Sequence, residues 1–159
     1  PVVGRLQALG DGTDIRVIVD YAHTPDALER AISALKETDN AGALWVLFGC
    51  GGDRDPGKRA EMGAIACQFA DRVIVTSDNP RSEPPEAIIG DILLGCDGTP
   101  IVEPDRAAAI ALAIAEAEVG DTVLIAGKGH ETYQEIDGVR LPFNDAGCAV
   151  QHLQQRQAA

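Results

Sequence analysis

Leu44-Trp45-Val46-Leu47-Phe48, followed without a break by Gly49-Cys50-Gly51-Gly52-Asp53-Arg54-Asp55-Pro56-Gly57-Lys58-Arg59, decides how the chain folds. Five consecutive apolar residues leave no polar face. A strand of this kind is covered on both sides, as in the centre of a parallel sheet. The loop from Gly49 to Gly57 is glycine-rich, and Lys58 to Phe69 reads as the helix that covers the strand.

The same alternation extends in both directions. Upstream, Ile15–Val19 is a β-branched strand that stops at Asp20-Tyr21-Ala22-His23-Thr24-Pro25. Thr24-Pro25-Asp26 opens a helix, with Thr as the cap, Pro in the first turn and an acid near the positive end. Leu28, Ile32 and Leu35 carry its inner face to about Lys36, and Asn40-Ala41-Gly42 breaks it. Downstream, Arg72–Thr76 is a strand, Pro85–Leu94 a helix and Thr99–Val102 a short strand. Pro104–Glu118 is an Ala-rich helix, and Thr122–Ala126 is another fully apolar strand. Tyr133–Pro142 reads as a hairpin turning at Asp137-Gly138. A last helix spans Asn144–Gln154, with a Gln-rich tail expected to fray. Strands alternating with helices predict one α/β domain, a mostly parallel sheet with helices on both faces.

Composition removes several function classes. In 159 residues, 13 Lys and Arg oppose 25 Asp and Glu, a formal net charge of −12. That balance repels a phosphate backbone, and one Trp, two Tyr and three Phe leave little for base stacking. No apolar run approaches the roughly 18 residues of a membrane span. Cys50, Cys67, Cys96 and Cys148 show no CxxC pair and read as reduced, buried thiols of a cytosolic protein. His23, His130 and His152 fit no zinc spacing, so no metal site is expected. The chain begins at Pro1 rather than Met and is expected to be part of a longer protein.

In an open parallel sheet the loops that follow strands gather at the carboxyl edge, where ligands bind. The chemically loaded segments all follow strands: Asp20–Pro25, Gly49–Arg59, Asp78–Arg81 and Gly127–Glu131. Any one of them could be an ordinary turn, since Gly, Pro and Asp favour turns. Four together, each with His, Arg or Lys beside acids, point to one cleft. Gly52–Arg59 fits GxxxxGK but has Arg59 where a phosphate-binding loop needs a hydroxyl, and Asp53 and Asp55 would repel an anion. It reads as an imitation. Arg54, Arg81 and Lys128 can hold carboxylates, while Asp78 and Glu131 can hold an ammonium group, so the cleft suits a zwitterion.

Asp20-Tyr21-Ala22-His23-Thr24-Pro25-Asp26, Phe48-Gly49-Cys50-Gly51-Gly52-Asp53-Arg54-Asp55, Asp78-Asn79-Pro80-Arg81 and Gly127-Lys128-Gly129-His130-Glu131 occur in that order. Together they resemble the C-terminal, amino-acid-binding domain of the Mur ligases, and most closely the UDP-N-acetylmuramoyl-tripeptide synthetases. Pro1–Leu6 is similar to the family's lead-in to that domain, so the resemblance covers residues 1–159. It implies a Rossmann-like three-layer α/β fold, with a mostly parallel sheet of about six strands, one antiparallel, and helices on both faces. It also implies an ATP-dependent amide ligase of peptidoglycan synthesis, and so of cell wall growth, cell shape and division. In that family ATP phosphorylates the D-Glu γ-carboxylate of UDP-N-acetylmuramoyl-L-alanyl-D-glutamate. The amino group of meso-diaminopimelate then attacks the acyl phosphate, giving the tripeptide nucleotide, ADP and phosphate. The Asp-Asn-Pro-Arg box marks family members that add diaminopimelate rather than lysine.

Position by position, the resemblance implies that Arg54, Asp78, Asn79, Pro80, Arg81, Gly127 and Glu131 form the diaminopimelate site. Asp20, Tyr21 and His23 would face the nucleotide, and Lys128 would neutralise phosphate or shape its loop. No general base is assigned. ATP and Mg2+ would be bound mainly by a central domain, and the UDP sugar by an N-terminal domain, both expected before Pro1. The implied protein is a cytoplasmic monomer with diaminopimelate as its direct partner, and the isolated domain is expected to be inactive. Two other readings stand beside it: a stand-alone amino-acid-binding module, and a related ligase such as another Mur ligase or a folylpolyglutamate synthetase.

Overall fold

The apolar runs become strands and the periodic stretches become helices in chain order. These are β1 (Gln7–Leu9), β2 (Arg16–Asp20), α1 (Pro25–Lys36), β3 (Leu44–Phe48), α2 (Gly57–Phe69), β4 (Arg72–Val75) and α3 (Pro85–Leu93). Then follow β5 (Ile101–Val102), α4 (Arg106–Glu116), β6 (Thr122–Ala126), β7 (Tyr133–Ile136), β8 (Val139–Pro142) and α5 (Asp145–Ala158). The computed structural model describes residues 4–10, 12–38 and 42–158. Pro1–Val3 of the lead-in, and Asn40 and Ala41 of the expected helix break, lie outside them.

The main sheet has six strands in the order β1-β2-β6-β3-β4-β5. β2, β6, β3, β4 and β5 run parallel, and β1 is antiparallel to β2. The fully apolar strands are explained by their two neighbours. Successive side chains point to opposite faces. Val46 and Phe48 of β3 thus meet Leu28, Ile32, Met62 and Ile92 from α1, α2 and α3. Trp45 and Leu47 meet Ile110, Ile114 and Leu153 from α4 and α5. Each such fully buried side chain contributes about 1.5–3 kcal/mol. Stability therefore resides in these two layers, and the loops at the sheet edge are left free for chemistry.

Three local features depart from the sequence expectation. The antiparallel strand is Gln7–Leu9, a three-residue segment between Gly4 and Gly10, both at positive φ. Such a segment is too short to show periodicity, and the hairpin β7–β8 forms its own two-stranded sheet. α4 starts at Arg106 rather than Pro104, because Asp105 caps it by accepting from the amides of Ala107 and Ala108. The Gln-rich tail does not fray: α5 runs to Ala158, anchored by Arg156, which donates to Asp14 at 2.9 and 3.0 Å and to the Ile114 carbonyl at 2.8 Å.

Candidate functional site

β2, β3, β4 and β6 are parallel neighbours, so the loops after them meet at one edge. There they line a cavity of about 360 Å3. Of the residues expected in it, Arg54, Asp78, Asn79, Arg81, Gly127 and Glu131 line the cavity, as do Tyr21 and His23 at its other side. Asp20, Pro80 and Lys128 do not. The Asp20 carboxylate is spent on its own turn, accepting from the amides of Leu6 and Ala22, each at 2.8 Å. Pro80 is buried behind the wall, with its carbonyl packed against Gly52. Lys128 is fully buried, and its Nζ donates to Asn79 Oδ1 at 2.8 Å and Glu131 Oε1 at 3.0 Å. In this structure it is an internal cation that ties Asn79 to Glu131.

Asp78 is the unusual group. It is 9% exposed, lines the cavity, and its carboxylate accepts no hydrogen bond from any described residue. Burial raises its pKa above the ordinary carboxylate value; Arg106 and Lys128 pull it back, and Glu131 and Asp145 push it further up. Gly127, at φ +117°, crosses directly over it. A Cβ there would stand 2.6 Å from Asp78 Oδ2, so only glycine leaves the carboxylate open.

The β4 loop that carries Asp78 is fixed from three sides. From below, the fully buried Arg106 pairs with both oxygens of Asp145 at 2.8 Å. It also donates to the carbonyls of Ser77, at 2.9 Å, and Ala126, at 3.1 Å. Burial works against the charge of Arg106, but the attraction and hydrogen bonds of Asp145 outweigh it. This one side chain thus ties the ends of β4 and β6 together. From the hairpin, Gln134 Nε2 donates to the Asp78 carbonyl at 2.8 Å, and the Glu135 amide donates to Asn79 Oδ1 at 3.0 Å. The Arg81 amide donates to the Glu135 carbonyl at 2.9 Å, and the Arg81 carbonyl accepts from the Asp137 amide at 2.7 Å. From the β3 loop, the Gly52 amide donates to the Asn79 carbonyl at 2.8 Å.

The resemblance of Gly52–Arg59 to a phosphate-binding loop ends at the sequence. Several of its amides are already used. Asp53 donates to Glu83 Oε2 at 2.7 Å, Gly57 donates to Asp55 Oδ1 at 2.9 Å, and Arg59 donates to the Pro56 carbonyl at 3.1 Å. Among the described residues, no group of three or more His, Cys, Asp and Glu is placed to hold a metal ion.

A family model described as the Mur ligase glutamate ligase domain matches residues 4–129. This chain belongs to the Mur ligase family. Among relatives of this Mur ligase domain, a UDP-N-acetylmuramoyl-L-alanyl-D-glutamate--2,6-diaminopimelate ligase of Chromobacterium violaceum is 57% identical over 155 residues, covering 96% of this chain and 31% of the relative. A solved structure of an enzyme of that same name superimposes with a TM-score of 0.91 at 45% identity, covering 98% of this chain and 32% of that one. An Escherichia coli FolC structure in complex with ADP, at 22% identity and a TM-score of 0.62, covers 99% of this chain and 33% of that one and shares the fold. The Mur ligase domain thus spans about a third of the length of the curated relatives that it matches.

Sequence reasoning missed several groups at this Mur ligase site. Lys58 lines the cavity and donates to the His23 carbonyl at 2.9 Å; it had been read only as part of the imitation loop. Cys50 also lines it, with its thiol pushed up to about 12 by burial, so it is protonated and unreactive near neutral pH. Arg106 was passed over inside an Ala-rich helix. Its position four residues before the inward Ile110 was the available signal that it points into the core.

Proposed function

We propose that this domain is the amino-acid-binding part of an ATP-dependent ligase that joins meso-diaminopimelate to UDP-N-acetylmuramoyl-L-alanyl-D-glutamate during peptidoglycan synthesis. The observation that carries this reading is the Asp78 carboxylate, which accepts no hydrogen bond from a described residue and opens into a cavity that also holds Arg54 and Arg81. A largely desolvated anion favours a cation beside it, and a ligand ammonium group would supply one. Arg54 and Arg81 supply forked donors for carboxylates. A ligand with an ammonium group and two carboxylates satisfies all three. Lysine lacks the second carboxylate and would leave one of the two arginines without its ligand partner. The high identity to ligases named for 2,6-diaminopimelate supports the same substrate.

The role of this chain is to bind and orient the amino acid so that its nucleophilic amine meets an acyl phosphate formed elsewhere. ATP and Mg2+ are assigned mainly to the remainder of the ligase, because the one loop here that imitates a phosphate-binding loop has Arg59 in place of the hydroxyl and uses several of its amides within the chain. Tyr21 and His23 line the cavity on the loop after β2, and in this reading they face that remainder. Cytoplasmic location and a monomeric state belong to the same proposal.

The test is a phosphate-release assay of the full-length ligase with the UDP-dipeptide, ATP, Mg2+ and either meso-diaminopimelate or lysine. Diaminopimelate is expected to be the better substrate by about 10⁴-fold. Arg81→Ala should lower kcat/KM for diaminopimelate by at least ~10²-fold and leave KM for ATP within about twofold. Preference for lysine, or equal loss toward both substrates, would overturn the assignment.

A further inference from the structure

Two of the described non-glycine residues with positive φ sit at the two arginines of the cavity: Asp53 at 54°, just before Arg54, and Arg81 itself at 52°. That backbone is unfavourable for an L residue, and Asp tolerates it better than most because its short carboxylate can bond locally. Here the carboxylate bonds across to the other turn. Asp53 Oδ1 accepts from the Ser82 hydroxyl at 2.6 Å, and Oδ2 accepts from the Ser82 amide at 3.2 Å. Ser82 directly follows Arg81. In return, Arg81 Nη1 donates to the Gly52 carbonyl at 2.9 Å, one residue before Asp53. The Asp53 carbonyl itself accepts from Arg54 Nη1 at 2.9 Å. Asp53 therefore touches the Arg54 guanidinium through its backbone and grips the Arg81 turn through its side chain. It is exposed, so its carboxylate contributes nothing to the core. Hydrogen bonds from Ser82 hold its pKa below the ordinary value, so it is ionised at neutral pH.

Resting on the reading of the cavity as a diaminopimelate site, we propose that Asp53 is a positioning residue that fixes the spacing of Arg54 and Arg81. Selection of a dicarboxylic amino acid then depends on that spacing as well as on the two positive charges. A fork that must meet two carboxylates at once is sensitive to misplacement, and about 1 Å of error can cost on the order of 10²-fold in rate. A substrate that engages one arginine only is insensitive to it. Loss of the staple should therefore narrow the preference for diaminopimelate over lysine, a signature that general destabilisation does not give.

The experiment compares wild-type full-length ligase with Asp53→Ala, Ser82→Ala, the double variant and Asp53→Asn, each checked for an unchanged melting profile. Asp53→Ala and Ser82→Ala are each expected to raise KM for diaminopimelate about 10-fold while leaving KM for ATP and the slow use of lysine within about twofold. The double variant should be no worse than Asp53→Ala, since Ser82→Ala removes one of the two bonds that Asp53→Ala already removes. Asp53→Asn keeps an acceptor and tolerates positive φ, so it should recover most of the loss. Unchanged selectivity in Asp53→Ala, additive effects in the double variant, or an equal rise in KM for ATP would overturn the proposal for Asp53. Failure of the wild-type ligase to use diaminopimelate would instead overturn the reading of the cavity, so the two failures are distinguishable.

Discussion

The two sides of the cavity are built differently. On one side, the β3 and β4 loops and the β7–β8 hairpin are joined by buried or half-buried hydrogen bonds, with Arg106, Lys128 and Asn79 at their crossing points. On the other, Tyr21 and His23 are held by exposed contacts: Tyr21 Oη to His130 Nε2 at 3.0 Å, and His23 Nδ1 to the Tyr21 carbonyl at 2.7 Å. A site that must reject a near-analogue needs its charged groups fixed before the ligand arrives. A surface that must meet another part of a ligase does not. Under the proposed function, the difference suits discrimination on the first side and docking on the second.

The strongest way to break this contrast is to remove the strut under the fixed side. Arg106→Met leaves Asp145 buried without a counter-charge, and loss of one member of a buried pair costs about 3–5 kcal/mol. Urea denaturation of the domain should register that loss. A change below about 1 kcal/mol would mean that the pair does not hold β4 and β6 together.

Asp78→Asn sharpens the contrast by separating stability from function. The Asp78 pKa is raised by burial. Between the ordinary carboxylate value and that raised value, the folded chain holds more protons than the unfolded chain. Stability therefore falls as pH rises through this window and levels off above it. Removing the charge should raise the unfolding free energy above the window by on the order of 1 kcal/mol, with no gain below it, while diaminopimelate binding is lost. Denaturation curves across pH check the sign, and a destabilisation independent of pH would contradict it.

The smallest effect belongs to the exposed side. Tyr21→Phe removes one hydroxyl contact, a neutral hydrogen bond that contributes about 0.5–1.5 kcal/mol at most. KM for diaminopimelate should stay within about twofold of wild type in the ligase assay. A large rise would place Tyr21 in amino-acid selection.

What the sequence revealed follows from the range of the forces involved. β3, β4 and β6 were legible because covering both faces of a strand demands an unbroken apolar run. The convergence of Asp78, Arg81, Gly127 and Glu131 was legible because parallel strands put their following loops on one edge. β1 was not, since three residues carry no period, and its pairing with β2 is a long-range outcome. The internal role of Lys128 was also hidden. A lysine between two glycines looks solvent-exposed until Asn79, 49 positions earlier, is brought within 2.8 Å of it. Asp20 looked like a site acid because it ends a strand, yet such a carboxylate can equally cap its own turn.

Trp45, the single tryptophan, lies near the opposite end of the sheet. Its indole Nε1 donates to Asp121 Oδ2 at 3.0 Å, and the Arg72 guanidinium stacks 4.5 Å from its ring. Four residue steps along the chain separate it from Gly49 at the cavity, a distance of about 13 Å. Its emission is therefore a reporter of whether the sheet is intact and is nearly blind to what enters the cleft. Tyr21, by contrast, lines the cavity itself. The single tryptophan is thus an optical probe of folding that is set apart from the cleft.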